Sequence, residues 1–284
     1  VKLKIAIQKS GRLYDDSVAL LKECGIRMNL GSNTLRVEAS NFPCEVLFLR
    51  VADIPAYIED GVADIGIIGE NVHLEAQHDI EVADKLGFSK CRLSLAIPRE
   101  HHYEGIRQFE GKKIATSYPN ILAHFFAQYG VQADIHTISG SVEIAPSIGL
   151  ADAVCDIVST GSTLLSNGLK EVETVLRSEA IIVANKALSP EKKAIFEQLL
   201  FRIGAIKKAK NNKYILLNAP NDNLDKIVSA LPGMKSPTIL PLAQEGWSSV
   251  HSVVQEDDFW EIIEKLQAYG AQGILVVGIE KMIV

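Results

Sequence analysis

"GVADIGIIGEN", residues 61–71, and "GLADAVCDIVSTG", residues 149–161, each pass from Gly-x-Ala-Asp through an apolar run into a loop that contains glycine. A glycine that ends a helix, a short buried run and a polar loop are one helix-to-strand-to-ligand-loop passage of an α/β layer. Found twice, the passage predicts two similar lobes facing each other across a cleft, with both glycine loops opening onto it. Two helix-to-strand turns of similar composition would give the same echo without duplication. Working outward, short apolar runs alternate with longer amphipathic ones, the pattern of α/β layers with largely parallel strands. The first series reads as strand 2–7, helix 13–24, strand 45–50, helix 53–60 and strand 64–68. A second series of similar length reads as strands 92–97 and 112–116, helix 119–129, strand 133–138, helix 143–149 and strand 154–158.

From Ser189 to about Asn211 the pattern is one long helix, with Ser189 as N-cap, Pro190 at its first position and Glu191 in its first turn. Residues 213–284 then read strand, helix, strand, strand, helix, strand, the order of a ferredoxin-like βαββαβ module, with the turn "LPGMKSP" breaking its first helix from its second strand. The expected organisation is lobe I at 1–91, completed by 180–211, lobe II at 92–179, and a third domain at 212–284.

The composition, 47% hydrophobic and 23% charged over 284 residues, supplies material for several cores. A net charge of −6 and the lack of a Lys/Arg-dense face argue against nucleic-acid binding by counterion release, so any phosphate bound is small and locally held. The opening "VKLKIAIQKSGR" reads as a strand and not as the apolar core of a signal peptide, and no run approaches the roughly 18 apolar residues of a membrane span. Cys24, Cys44, Cys91 and Cys155 are far apart, which suggests reduced thiols in a cytoplasmic protein and neither a zinc site nor a disulfide framework.

The chemistry sits at strand ends. Ser159-Thr160-Gly161-Ser162-Thr163 follows the strand ending at Val158, where backbone N–H groups, hydroxyls and a side-chain-free glycine suit an anion nest. The Lys of a nucleotide P-loop is absent. Asp156 and Glu143 bring two carboxylates to the rim of that loop, which suits sugar hydroxyls or a bound Mg²⁺ and so describes a sugar-phosphate site. A Ser/Thr-rich turn that only caps a helix has the same composition. "QKSGR", residues 8–12, follows the first strand and offers Lys9 and Arg12 to an anion; Arg50 and Glu70-Asn71 occupy equivalent strand ends. Tyr118, before Pro119, suits stacking on a base, and serves equally as a core aromatic. His101-His102 lack further ligands and read as surface, and no Ser-His-Asp or Cys-His arrangement follows from spacing.

Taken together, "QKSGRL", "DIGIIGEN", "CRLSLA", "GKKIATSYP", "GSVEIAPSIGLADAVCDIVSTGSTLLSNGL", "PTILPL" and "GILVVGIEKM" resemble the long, histidine-regulated form of the ATP phosphoribosyltransferases from end to end. The resemblance implies two periplasmic-binding-protein-like lobes around a cleft and a C-terminal regulatory domain. It implies transfer of a phosphoribosyl group from 5-phosphoribosyl diphosphate to N1 of ATP, with Mg²⁺, at the first step of histidine biosynthesis. Glu143 and Asp156 would bind the donor's ribose hydroxyls, and Ser159, Thr160, Gly161, Ser162 and Thr163 its 5-phosphate. Lys9, Arg12, Arg50, Glu70 and Tyr118 would line the ATP and pyrophosphate side, with Lys9 assisting the leaving group. A regulatory histidine pocket would fall on Asn218, Thr238, Val253 and Gly273, where some relatives have an acidic residue in place of Asn218. Histidine as allosteric inhibitor, AMP as a further inhibitor, a homo-oligomer between dimer and hexamer, and a cytoplasmic location complete the expectation, with no nucleic acid or membrane as partner. Two other classes compete: a two-lobed solute-binding or sensing protein, and a phosphoribosyltransferase with a different acceptor.

Overall fold

The computed structural model describes residues 1–31, 34–231 and 236–283. Contact clustering divides the chain into two units, Val1–Phe196 and Glu197–Val284. In chain order the first unit opens with β1 (Leu3–Gln8), α1 (Arg12–Glu23), β2 (Arg36–Glu38), β3 (Cys44–Leu49), α2 (Ile54–Glu59), β4 (Ile65–Gly69), α3 (Glu70–Ala76) and β5 (Glu81–Lys85). It continues with β6 (Cys91–Pro98), β7 (Lys113–Thr116), α4 (Pro119–Tyr129), β8 (Asp134–Thr137), β9 (Ala153–Val158), α5 (Ser162–Ser166), β10 (Leu169–Ser178) and β11 (Ala180–Ala184). The boundary falls within α6 (Pro190–Lys210).

Two sheets form in the first unit, with strand orders β2-β3-β1-β4-β11-β5 and β10-β6-β9-β7-β8. Only β3, β1 and β4 run parallel in the first, and only β9, β7 and β8 in the second. The expectation of largely parallel strands therefore gives way to mixed sheets. The chain crosses from one sheet to the other twice, through residues 86–90 and through Glu179, and strands that return this way enter antiparallel. Both faces of the second sheet are packed. Leu93, Leu95, Ile97, Ile114 and Cys155 meet Phe109, Phe125 and Phe126 on one side, and Ala96, Ala115 and Val154 meet Val142, Ala145 and Leu164 on the other.

The two Gly-x-Ala-Asp segments do the same physical work. Gly61 and Gly149 both stand at positive φ, +71° and +73°, where a glycine costs least. The Asp64 carboxylate accepts from Lys4 N at 2.8 Å while Asp64 N donates to Lys4 O at 3.0 Å. In the second sheet Asp152 accepts from Lys113 N at 2.9 Å while Asp152 N donates to Lys113 O at 2.8 Å. Each aspartate thus clasps the start of a neighbouring parallel strand, β1 or β7, and fixes its register.

Residues 143–149 are not a helix, as their apolar spacing suggests, but a single 3₁₀ turn at Val142–Ile144 followed by further turns. Pro146 lacks the N–H that a continuing helix needs, and Ser141 stands at φ +49°. The sequence pattern marks no element over residues 166–180, yet β10 spans most of them. Its pattern LKEVETVLRS is broken by two register shifts against β6, which spoil the alternation that marks a strand.

In the second unit β12 (Asn212–Pro220), α7 (Leu224–Ala230), β13 (Thr238–Pro241), β14 (Trp247–Gln255), α8 (Phe259–Ala268) and β15 (Gln272–Gly278) form an antiparallel sheet ordered β13-β14-β12-β15. This is the ferredoxin-like order that the βαββαβ succession predicts. Ile215, Leu217, Ala219, Val250 and Val254 pack against Ile227, Ile262 and Leu266 of the helices. Residues 232–235 of the "LPGMKSP" turn lie outside the described residues.

Asp64 also takes Lys192 Nζ at 2.7 Å, with the carboxylate buried and the lysine mostly so. Asp64→Ala should leave the Lys4 amide and the ammonium without their acceptor and destabilise the protein by about 3 kcal/mol, measured as a lowered urea midpoint. Asp152→Ala, which breaks no ion pair among the described residues, should cost less, on the order of 1–2 kcal/mol.

Candidate active site

β1 ends at Gln8, and the turn that follows passes through Gly11 at φ +86° into α1, whose first residue is Arg12. Across the cleft β9 ends at Val158 and passes through Gly161, at φ +84°, into α5. The two loops meet: Arg12 Nη1 donates to Ser159 Oγ at 3.2 Å. A Cβ at Gly161 would meet only Val158 Cγ1, at 3.9 Å, so the glycine is required by its backbone angle and not by crowding.

Behind this loop lies a side-chain support that spacing does not reveal. Arg92 on β6 forms a two-pronged pair with Glu171 on β10, both contacts at 2.5 Å, and its Nη1 reaches Ser159 O at 3.4 Å. Ser94 Oγ donates to the same carboxylate at 2.7 Å. The Arg92 guanidinium is the largest influence holding the Glu171 carboxyl below the usual carboxylate range. Arg92 and Glu171 become partners only because β10 lies antiparallel to β6, 79 residues away in sequence.

Asp156 and Glu143 are both half-buried on this rim, and the charge of Glu143 acts on Asp156. Burial raises the Asp156 carboxyl above its ordinary value; Ile157 N, donating at 2.8 Å, opposes the shift and the charge of Glu143 adds to it. Neither carboxylate forms an ion pair among the described residues. The rest of the loop is exposed at Thr160, Ser162 and Thr163, with the Thr160 and Ser162 hydroxyls 3.0 Å apart.

A cavity of about 280 Å³ brings together Gln8, Arg12, Gly69, Asn71, Tyr118 and Ser159. Tyr118 packs part of its ring on the core of the second sheet, its Oη accepts from Asn71 Nδ2 at 3.1 Å, and burial pushes its hydroxyl up to about 12. Tyr118 is thus a core aromatic on one side and lines the cleft cavity on the other. Lys9 is exposed and lines a neighbouring cavity of about 420 Å³ with Ser10, Tyr14 and Phe48. Arg50 is exposed at the end of β3, with no ion pair among the described residues. Glu70 stands apart: its carboxylate pairs with Lys85 at 2.9 Å and lines a third cavity with Lys90, Cys91 and Arg177.

In the second unit, strand alternation places Asn218, Thr238 and Val253 on the sheet face opposite α7 and α8, since Leu217 and Val250 point to the helices; Gly273 lies where β15 shifts register against β12. Asn218 and Gly273 are neighbours, and a Cβ on Gly273, at φ +58°, would lie 3.2 Å from Asn218 Nδ2. Thr238 pairs with His251 and Val253 with Tyr214, further along the same face.

The ATP phosphoribosyltransferase family (HisG) matches residues 50–205, and the C-terminal domain of the same family matches residues 209–281. The chain belongs to the ATP phosphoribosyltransferase family. The ATP phosphoribosyltransferase of Bacteroides fragilis is 59% identical over 282 residues, which cover 99% of this chain and 100% of that one. The ATP phosphoribosyltransferase complex of Thermotoga maritima (HisG:HisZ) superposes with a TM-score of 0.59 at 30% identity, over 98% of that chain but 71% of this one. The added match to the C-terminal domain marks this chain as the long form of the ATP phosphoribosyltransferases. A substrate-binding protein of an amino-acid ABC transporter, at 11% identity and a TM-score of 0.51, shares the two-lobed fold alone. Among the described residues no helix is long and apolar enough to cross a membrane.

Because burial raises the folded-state Asp156 carboxyl, ionising it opposes folding, and that penalty grows as pH rises from the ordinary aspartate range through the raised value. Asp156→Asn should therefore melt at a higher temperature than the parent at pH 7.5, with the advantage shrinking as pH falls toward about 4. Thermal unfolding across that range checks the sign.

Proposed function

We propose that this chain transfers the 5-phosphoribosyl group of 5-phosphoribosyl diphosphate to N1 of ATP, giving N1-(5-phosphoribosyl)-ATP and pyrophosphate, with its chemistry at the meeting of the β1 and β9 loops. Family membership over both units supports the reaction, the first step of histidine biosynthesis. The observation that carries the site is the approach of Arg12 to Ser159, because it sets a cation from one lobe against a glycine-bearing hydroxyl loop of the other. Ser159 to Thr163 hold the 5-phosphate, and Arg92, clamped by Glu171, keeps the start of that loop in place.

Breaking the bond from C1 to pyrophosphate develops positive charge on the ribose, so the ring needs negative charge beside it and the leaving group needs positive charge. Asp156 and Glu143 supply the first and bind the ribose hydroxyls. Arg12, with Lys9 and Arg50 on the same side, supplies the second. N1 of adenine carries a lone pair and needs no strong base, so orientation in the cleft accounts for much of the rate. Tyr118 forms the wall of the nucleotide side; Glu70, bound to Lys85, contributes from the adjoining cavity.

The metal is Mg²⁺. No cluster of three or more His, Cys, Asp or Glu exists among the described residues, but magnesium is commonly held by one or two carboxylates together with substrate phosphates. Asp156 and Glu143, close together and without a cation, fit that mode. When bound, the ion supplies charge neutralisation to the diphosphate.

The second unit serves regulation. Histidine binds its open sheet face around Asn218, Thr238, Val253 and Gly273 and favours a less active arrangement of a homo-oligomer, dimer to hexamer; AMP inhibits at the nucleotide side. A hundredfold preference for one state corresponds to about 2.7 kcal/mol. The protein works in the cytoplasm.

Pyrophosphate release that requires both the donor and ATP, and is not supported by GTP, is the expected result; release with another acceptor in place of ATP assigns a different transferase. Asp156→Asn should lower turnover on the order of 10²-fold with little change in donor KM. Gly161→Val, forcing a β-branched residue to positive φ, should raise donor KM with the fold intact. Gly273→Val and Thr238→Ala should relieve histidine inhibition with uninhibited turnover retained, read from turnover against histidine concentration with oligomer size followed in parallel.

A further inference from the structure

Asn71 is buried at 4% exposure, yet every polar atom of it that reaches another segment has a defined partner. Its main-chain N–H donates to Ser178 Oγ at 3.1 Å, and Ser178 Oγ donates back to Asn71 Oδ1 at 2.9 Å. A hydroxyl carries one proton and two lone pairs, so Ser178 Oγ accepts from the main-chain N–H and donates to Oδ1 at once. The Nδ2 end of the amide faces Tyr118 and donates to Oη at 3.1 Å. A tyrosine hydroxyl that accepts from an amide keeps its own proton for another acceptor, and Tyr118 lines the cleft cavity in which that acceptor would sit.

One turn further along α3, Glu75 grips the same segment. Its two carboxylate oxygens accept from Asn120 N and Ile121 N, both at 3.0 Å, and its carbonyl accepts from Asn120 Nδ2 at 2.9 Å. Asn71 and Glu75 are four residues apart and share one face of the helix. The first sheet's lobe therefore holds residues 118–121 of the other lobe at two points, the Tyr118 hydroxyl and the first amides of α4. The carboxylate at the start of α4 also meets the favourable end of that helix's dipole.

We infer that Asn71, fixed by Ser178 and braced by Glu75, is a positioning residue that presents the Tyr118 hydroxyl as a hydrogen-bond donor to the nucleotide acceptor. The inference rests on the reading of this cleft as the ATP side of a phosphoribosyltransferase. Asn71→Asp keeps the acceptor for Ser178 but replaces the donor facing Tyr118 by an acceptor, so the tyrosine proton is drawn to the introduced carboxylate and lost to the nucleotide. Tyr118→Phe removes the same donor directly.

The experiment is a double-mutant cycle in steady-state kinetics on the full-length protein, with ATP and 5-phosphoribosyl diphosphate varied separately. Parent turnover with ATP is measured first; its absence overturns the functional reading and this inference with it. Given turnover, each single variant should raise ATP KM about five- to tenfold with donor KM within about twofold, and the double variant should be no worse than the poorer single one. A merely structural asparagine would raise both KM values together and lower the melting temperature. Additive effects, or an unaltered ATP KM in Tyr118→Phe, overturn the inference. Should Asn71→Asp not fold, Ser178→Ala frees the amide to rotate and replaces it in the cycle, with the same non-additivity required. Glu75→Gln, which weakens the brace, should raise ATP KM less than Asn71→Asp and leave donor KM unmoved.

Discussion

In each half of the first unit an aspartate at the head of one strand clasps the head of its parallel neighbour, Asp64 on Lys4 and Asp152 on Lys113. That clasp sets the register, and in a parallel pair the register decides where the far ends finish. With their starts aligned, β1 and β4 deliver the loops at residues 9–11 and 69–71 to one edge of the first sheet, while β7 and β9 deliver residues 117–118 and 159–161 to one edge of the second. Both faces of the second sheet are packed, so in that lobe the strand ends are where unpaired backbone and polar side chains remain available. The candidate site lies at those ends because polar groups are excluded elsewhere as much as because of the loops themselves.

How the two edges come together is a matter of the crossings. β10 ends at Ser178 and β11 begins at Ala180, so one residue, Glu179, carries the chain between sheets. Its carbonyl accepts from Glu70 N at 2.9 Å, and Ser178 beside it engages Asn71. The end of β4 is thereby tied to the crossing itself, and from that point α3 reaches Tyr118 and the start of α4. Asn71 carries no charge, yet it links the crossing, the first lobe and the second within three hydrogen bonds. A buried amide suits this place better than an ion pair, because it satisfies both partners without the desolvation cost of charge.

The electrostatics divide along the same geometry. Arg12 and the Arg92–Glu171 pair surround the β9 loop with donors, while Asp156 and Glu143 sit just behind it with their charges uncompensated by any ion pair among the described residues. Burial, with the charge of Glu143 beside it, raises the cost of ionising Asp156, so this rim favours a partner that brings positive charge. The ferredoxin-like unit has another economy: its helices cover one sheet face and leave Asn218, Thr238 and Val253 on the other.

The sequence by itself determined the lobes, the βαββαβ order and the polar loops that follow the strand ends, because these follow from local properties: apolar runs, glycines at turns, and polar stretches after buried strands. It also determined the Asp156 and Ser159–Thr163 loop, whose residues are contiguous. It did not disclose β10, whose alternation is broken by two register shifts, nor the shortness of the turn at Val142–Ile144, where Pro146 overrides the apolar spacing. Only the tertiary structure decided that Arg92 finds Glu171, that Asn71 finds both Ser178 and Tyr118, and that Glu70 is claimed by Lys85 in a separate cavity. Those pairings join segments tens of residues apart, or neighbours such as Glu70 and Asn71 that a helical turn sends in different directions. Which of them meet depends on where the chain crosses between the sheets, and no local pattern of residues encodes that.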